Sequence, residues 1–224
     1  MEKKKKPTPI VTNLLLLSTV LIQIYLLAMN QADAEKLYET YSLVPFDILN
    51  GVRVDSLLTY IFLHGSLLHL IVNSVALYGA GVIVERDLGH LQYLLVFLVS
   101  GVVAGLAHSF LNPYSRVPLV GSSGAIFGVI AVLFLLMPFK LTFALVFPLP
   151  SVLVGIMLVL VELSAFWMAN DFGIAHDAHI AGFIMGGVCA FAIDRKRAVK
   201  GLIVAVVVLA AMYYAGVYFG LIPA

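Results

Sequence analysis

Residues 67–84 read LLHLIVNSVALYGAGVIV, an apolar run with His69 and Asn73 set into it one helical turn apart. As a helix it would rise about 27 Å, close to the roughly 30 Å hydrocarbon core of a bilayer, so it reads as a membrane span. Six further apolar runs surround it, at 10–29, 91–111, 123–137, 152–168, 175–193 and 202–221. The fourth of the seven, 123–137, is short and ends at Pro138. Composition agrees: of 224 residues 62% are hydrophobic and 11% charged, with a mean hydropathy of +1.07. The charged share is less than half that of soluble domains, and a soluble core of this size cannot absorb so much apolar surface. The expected fold class is all-α, a polytopic membrane helical bundle. A secreted disulfide scaffold, a disordered tail and an ordinary cytosolic enzyme are excluded. A net charge of +1 gives no electrostatic footprint for nucleic acid. Cys189 is the single cysteine and can form no intrachain disulfide.

Charge sets the orientation. With a cytoplasmic N-terminus, Lys3, Lys4, Lys5, Lys6, Arg86, Lys140, Arg195, Lys196, Arg197 and Lys200 lie inside, and only Lys36, Arg53 and Arg116 outside. That asymmetry fits the positive-inside rule. The lysine run, apolar stretch and Ala32-Asp33-Ala34 imitate a signal peptide, but the apolar part is too long and reads as a true span. Residues 30–65 form the main polar extramembrane stretch, on the outer side. Residues 141–150, broken by Pro148 and Pro150, read as an interfacial connector. The chain divides into a basic cytoplasmic N-terminus (1–9), a six-helix core (10–193), and a basic linker with a seventh helix (194–224).

Polar groups inside apolar helices are costly unless paired or hydrated, and so mark function. Three clusters fall at similar depth toward the outer leaflet: His64, His69 and Asn73; Gly121-Ser122-Ser123-Gly124; and His176 with His179. If the short fourth helix ends near Lys140, it must begin below the outer surface, reached by irregular chain at 112–122. Such backbone is tolerated at depth only where it lines a cavity. Ser123 would then stand among the orphan N–H groups and positive dipole of a helix N-terminus, where an oxyanion is stabilised. Gly124 and Gly128 are spaced small-xxx-small, as are Gly182 and Gly186, so the fourth and sixth helices can cross closely and bring His179 to Ser123. Serine beside histidine is the arrangement for nucleophilic acyl transfer. Asp177, about 200° round the helix from His179, faces elsewhere. Glu162 on the fifth span reads as structural, which leaves a Ser/His dyad, with Phe127 packed on the imidazole in place of an acid. His64 reads as a structural histidine bonded to loop backbone, His90 as a solvated turn residue and His108 as a packing residue.

These residues resemble the rhomboid family of intramembrane serine proteases. Gly121-Ser122-Ser123-Gly124 is similar to the family's GxSG, residues 175–182 (AHDAHIAG) to its AHxxHxxG pattern, and His64, His69 and Asn73 to its second-span polar set. Glu85-Arg86 before Gly89 resembles the turn that closes that span. The resemblance implies a six-helix core, with Ser123 as nucleophile and His179 as base. It also implies that Gly121 permits close approach and that His69 and Asn73 bind the oxyanion. His176, where the family uses histidine or asparagine, takes an oxyanion or water-site role. Two departures stand out: the first-loop tryptophan-arginine pair is Val52-Arg53, leaving loop anchoring open, and the tyrosine after the serine is Phe127. The implied substrates are transmembrane segments of membrane proteins, cleaved near their outer end. No cofactor or metal is implied, the lipid bilayer is the implied surrounding, and the cell membrane is the expected location. Competing readings are a catalytically silent member that binds membrane proteins, and a metal-dependent enzyme or transporter using His64, His69, His176 and His179, for which the sequence offers no HExxH or carboxylate partner.

Overall fold

Each apolar run becomes a helix in the computed structural model, which describes residues 8–144, 147–168 and 173–221. In chain order, α1 (Ile10–Ala28) is followed by three short helices in the polar stretch: α2 (Gln31–Tyr41), α3 (Pro45–Leu49) and α4 (Ser56–Thr59). A 3-10 turn at Tyr60–Phe62 then leads to α5 (Leu67–Leu88), α6 (His90–Leu111), α7 (Ser123–Leu136), α8 (Ser151–Trp167), α9 (His176–Ile193) and α10 (Arg195–Tyr218). Five of these, α1, α5, α6, α9 and α10, are long and apolar enough to cross a membrane, while α7 and α8 are shorter apolar helices of 14 and 17 residues. The result is an all-α bundle. The lysines at 3–6 that share in the orientation reading lie outside the described residues, as do residues 222–224 of the last segment.

Helix α7 is the axis of the bundle, buried at every residue after Ser123. Backbone-to-backbone approach makes this possible. A Cβ on Gly182 would overlap the Gly124 carbonyl oxygen, and one on Gly186 the Gly128 carbonyl oxygen, so α9 lies directly on α7. On another side, Ala104 and Ser100 of α6 fill the space that side chains at Gly124 and Gly128 would take. Gly201 of α10 meets the Leu135 carbonyl in the same manner. Without a hydrophobic drive between helices in lipid, such contacts are what holds them together.

The polar stretch at 30–65 folds into three short helices and a 3-10 turn, and its later part, from Leu43 to Ile61, wedges against the bundle. Leu43, Tyr60 and Ile61 are buried, because Gly101 and Gly105 open a notch in α6: side chains there would overlap Ile61 and Leu43. The Tyr60 hydroxyl donates to the Gly101 carbonyl at 2.7 Å. Leu43 and Leu119 exchange backbone hydrogen bonds of 3.0 and 2.7 Å, tying the wedge to the chain that enters α7. Arg53 answers the question of loop anchoring: its guanidinium bonds the Asp47 carboxylate and the Glu39 carbonyl. The connector at 141–150 is an antiparallel ribbon, β1 (Leu141–Ala144) with β2 (Phe147–Pro150), with Thr142 opposite Leu149. Both strands are edges, where Pro148 and Pro150 are tolerated.

Glu85, fully buried at the far end of α5, accepts from the backbone N–H groups of Val11 and Thr12 at 2.8 Å each and from the Thr12 hydroxyl at 2.6 Å. It thereby satisfies the orphan donors that open α1. His90 is half exposed, yet its Nδ1 lies 2.6 Å from the same carboxylate, so it is more than a solvated turn residue. At this end Arg197 spans Asp87 at 2.8 Å and Asp194 at 3.0 Å, fixing the start of α10 to the end of α5.

Candidate functional site

The chain enters α7 through Gly121, whose φ of +122° suits glycine alone. A Cβ there would also sit 2.8 Å from His69 Cε1 and Nε2 and 3.6 Å from Asn73 Nδ2, so this glycine brings backbone against both side chains of α5. Its N–H donates to the Tyr60 carbonyl at 3.0 Å, so the docked wedge fixes the approach. Asn73 is buried, and its Nδ2 has no hydrogen-bond partner among the described residues. A buried amide donor left open costs free energy unless something accepts from it. Ser122 caps α7 without a side-chain bond, which leaves the first N–H groups of the helix free to accept a negative charge. An oxyanion beside Gly121 would meet Asn73 Nδ2, the His69 ring and these N–H groups.

Across from α5 stands α9. Its crossing through Gly182 and Gly186 lays the His179 ring on Phe127, one turn into α7 from Ser123, with centroids 4.5 Å apart and planes 11° from parallel. Ser123 is half-buried as the first residue of α7. No hydrogen bond joins Ser123 to His179; contacts of this kind in a site often tighten only when a ligand is bound. His176 lies edge-on to His179, with centroids 6.2 Å apart.

Sequence reasoning set Glu162 aside as structural, yet it comes between the two histidines. Glu162 of α8, 7% exposed, takes an aligned hydrogen bond from His176 Nδ1 at 2.6 Å. Its other oxygen is 3.1 Å from His179 Nδ1, off the line of a hydrogen bond but within ion-pair distance. The signal was present in the sequence, because a carboxylate in an apolar span requires a partner. What was missing was the rotation of α8 that picks the partner. The potential ligand atoms of Glu162, His176 and His179 lie within 4.8 Å of one another, so a divalent metal could be held by these three.

The remaining histidines divide. His64 is buried, with Nε2 3.4 Å from the Ser122 hydroxyl and its ring edge-on to His69 at 5.1 Å; its Nδ1 has no partner among the described residues, so it faces the site and not the loop backbone expected of it. His108 is not a mere packing residue: its Nδ1 is 2.9 Å from both oxygens of Asp177, which Asn112 Nδ2 also bonds at 2.7 Å. Asp177 does face away from His179, as helical spacing requires. It pins the start of α9 to the end of α6, which holds His179 in place from outside the site.

Residues 52–196 match the family model described as Rhomboid domain. The chain is similar to Rhomboid protease GluP of Bacillus subtilis (strain 168), 31% identical over 168 residues that make up 74% of this chain and 31% of that protein. RHOMBOID-like protein 12, mitochondrial, of Arabidopsis thaliana is 28% identical over 174 residues, covering 69% of this chain and 51% of its own. Rhomboid-like protease 5 of Toxoplasma gondii is 32% identical over 136 residues, 60% of this chain and 16% of its own. The chain thus spans about half or less of the length of these relatives.

Proposed function

We propose, from the premise that this chain belongs to the rhomboid family and is a multi-pass integral membrane protein, that it is an intramembrane serine endopeptidase working through a Ser123/His179 dyad. The observation that carries the reading is the glycine-to-glycine crossing of α7 and α9, which stacks His179 on Phe127 one turn from Ser123 at a helix N-terminus. His179 Nε2 removes the hydroxyl proton as Ser123 Oγ attacks the scissile carbonyl. The carbonyl oxygen becomes an oxyanion held by Asn73, His69 and the Ser123 backbone N–H beside Gly121. The imidazolium returns its proton to the leaving amine as the C–N bond breaks, and water then hydrolyses the acyl-enzyme by the same route. His176 serves as an oxyanion or water-site group.

The substrates on this reading are transmembrane segments of other membrane proteins, cut near their outer end at a small residue in a helix that unwinds readily. The bilayer is the medium, and no cofactor takes part. Six helices, α1 and α5 to α9, form the catalytic core at 10–193, with α10 an added crossing after the linker that begins at 194. The N-terminus lies in the cytoplasm of a cell whose plasma membrane holds the protein, and the site opens to the outer side. Support comes from Arg86, Lys140 and the basic start of α10, which belong to the end of the bundle opposite Ser123. The test is cleavage of a generic single-span substrate by purified protein in liposomes, wild type beside Ser123→Ala. A second reading, metal-dependent chemistry, is favoured by the Glu162/His176/His179 cluster alone. Chelator-insensitive cleavage together with labelling by a serine-directed probe separates the two.

A further inference from the structure

We infer that Glu162 is the positioning acid of this site, its two oxygens accepting Nδ1–H from His179 and His176 at once and fixing the tautomer of both rings. The inference rests on the dyad reading and goes beyond it. A neutral imidazole carries its proton on one nitrogen, and a carboxylate facing Nδ1 selects the form in which Nε2 keeps its lone pair. For His179 that is the form a general base must have. Glu162 Oε2 already accepts a hydrogen bond from His176 Nδ1 at 2.6 Å, and Oε1 stands 3.1 Å from His179 Nδ1. A small turn of the carboxylate aligns the second bond, the kind of tightening expected when substrate closes the site.

The geometry accounts for three otherwise separate facts. A carboxylate placed in an apolar helix is 7% exposed, and both of its oxygens face a histidine Nδ1. His179 Nδ1 is buried without an aligned partner, a polar atom that needs an acceptor. Phe127, stacked on the ring face, restricts its tilt but cannot choose which nitrogen bears the proton. The acid supplies what the stacking ring cannot. One consequence concerns His176: with its proton on Nδ1, its neutral Nε2 is an acceptor and cannot donate to an oxyanion. This moves His176 to orienting the hydrolytic water.

Glu162→Gln is nearly isosteric but has one acceptor oxygen and a donor amide, so it satisfies one Nδ1–H and forces the other ring to the opposite tautomer. With the full chain in detergent and a single-span substrate, Glu162→Gln should lower kcat about 10- to 100-fold with KM within about twofold, less than the ~10,000-fold of a lost triad aspartate because Phe127 still holds the ring. Glu162→Asp keeps both acceptors and should recover most of the lost kcat. The decisive signature is 15N NMR of histidine ring nitrogens, assigned with His176→Asn and His179→Asn. Both rings should be protonated on Nδ1 in wild type, and one should switch to Nε2 in Glu162→Gln. If Glu162→Gln does not fold, the wild-type spectrum and Glu162→Asp kinetics still decide. A wild-type His179 protonated on Nε2, or Glu162→Gln turnover within about threefold of wild type, overturns the inference. So does wild-type cleavage that a chelator abolishes and zinc restores. Ser123→Ala separates the two levels: if it cleaves, the protease reading itself falls, and if it is inert while Glu162→Gln cleaves normally, only the role of Glu162 falls.

Discussion

Helices α7 and α10 are both strongly apolar, yet they live in different surroundings. Every residue of α7 after Ser123 is buried in protein, whereas α10, at 24 residues, buries only Ala198, Gly201, Ala205 and Gly216 and leaves Val206, Val207 and Tyr214 exposed. Being encased, α7 need not match the bilayer thickness. It can be 14 residues long, start at depth and carry a serine at its exposed dipole. Helix α10 is long and apolar enough to cross a membrane and meets the axis where Gly201 reaches the Leu135 carbonyl. Apolar character therefore goes with encasement in protein in one helix and with an exposed apolar surface in the other.

The largest effects should come from the start of α7 and its neighbours. Ser123→Ala and His179→Ala should each abolish proteolysis with the fold intact, since nucleophile and base act as a unit. Substantial cleavage by purified Ser123→Ala would end the serine reading and erase the contrast with α10. Asn73→Ala should lower turnover by a factor of about 10 to 1,000 with KM little changed, as for one lost oxyanion donor. An effect confined to KM would contradict that role.

The crossings sharpen the comparison. Gly182→Val and Gly186→Val each force atoms into the α7 backbone and should part Ser123 from His179 by about an ångström, at roughly a hundredfold cost in rate. Labelling of the detergent-solubilised variants with a fluorophosphonate probe measures this; labelling and cleavage at the wild-type rate in both would refute the close-crossing argument. Gly201→Val adds the same atoms where α10 meets Leu135. It should lower thermal stability by about 1–3 kcal/mol, the usual scale of overpacking, and leave kcat within about threefold. A large loss of activity there would show α10 to be part of the catalytic unit.

The smallest effect concerns the start of α10. The Arg197 backbone N–H, aided by its guanidinium, holds the Asp194 carboxyl below the usual carboxylate range. Because the folded value is depressed, the contribution is present above the unfolded pKa and fades as pH falls through the folded one. Asp194→Asn should therefore remove a slight acid-side drop in melting temperature. The side chain is partly exposed, so solvent screening keeps the effect small, and a large change would mean that the start of α10 depends on more than its own local contacts.

Much of this molecule was legible in the chain. The apolar runs and their limits, the glycine pairs at 124/128 and 182/186, and the serine and histidines near one depth all follow from properties each segment carries by itself: apolar length, helical period and the cost of polar groups in lipid. Helical period alone also turned Asp177 away from His179. Tertiary structure decided what lies between segments. It seated Leu43 and Ile61 of the polar stretch in the notch of Gly105 and Gly101, a docking that composition does not reveal. It gave Asp177 to His108, Glu85 to the start of α1, and Glu162 to His176 and His179. Those partners are set by how each helix is rotated about its own axis. On largely apolar helices that rotation is fixed by which small residues let which backbones touch, a property of the packed bundle and of no single stretch within it.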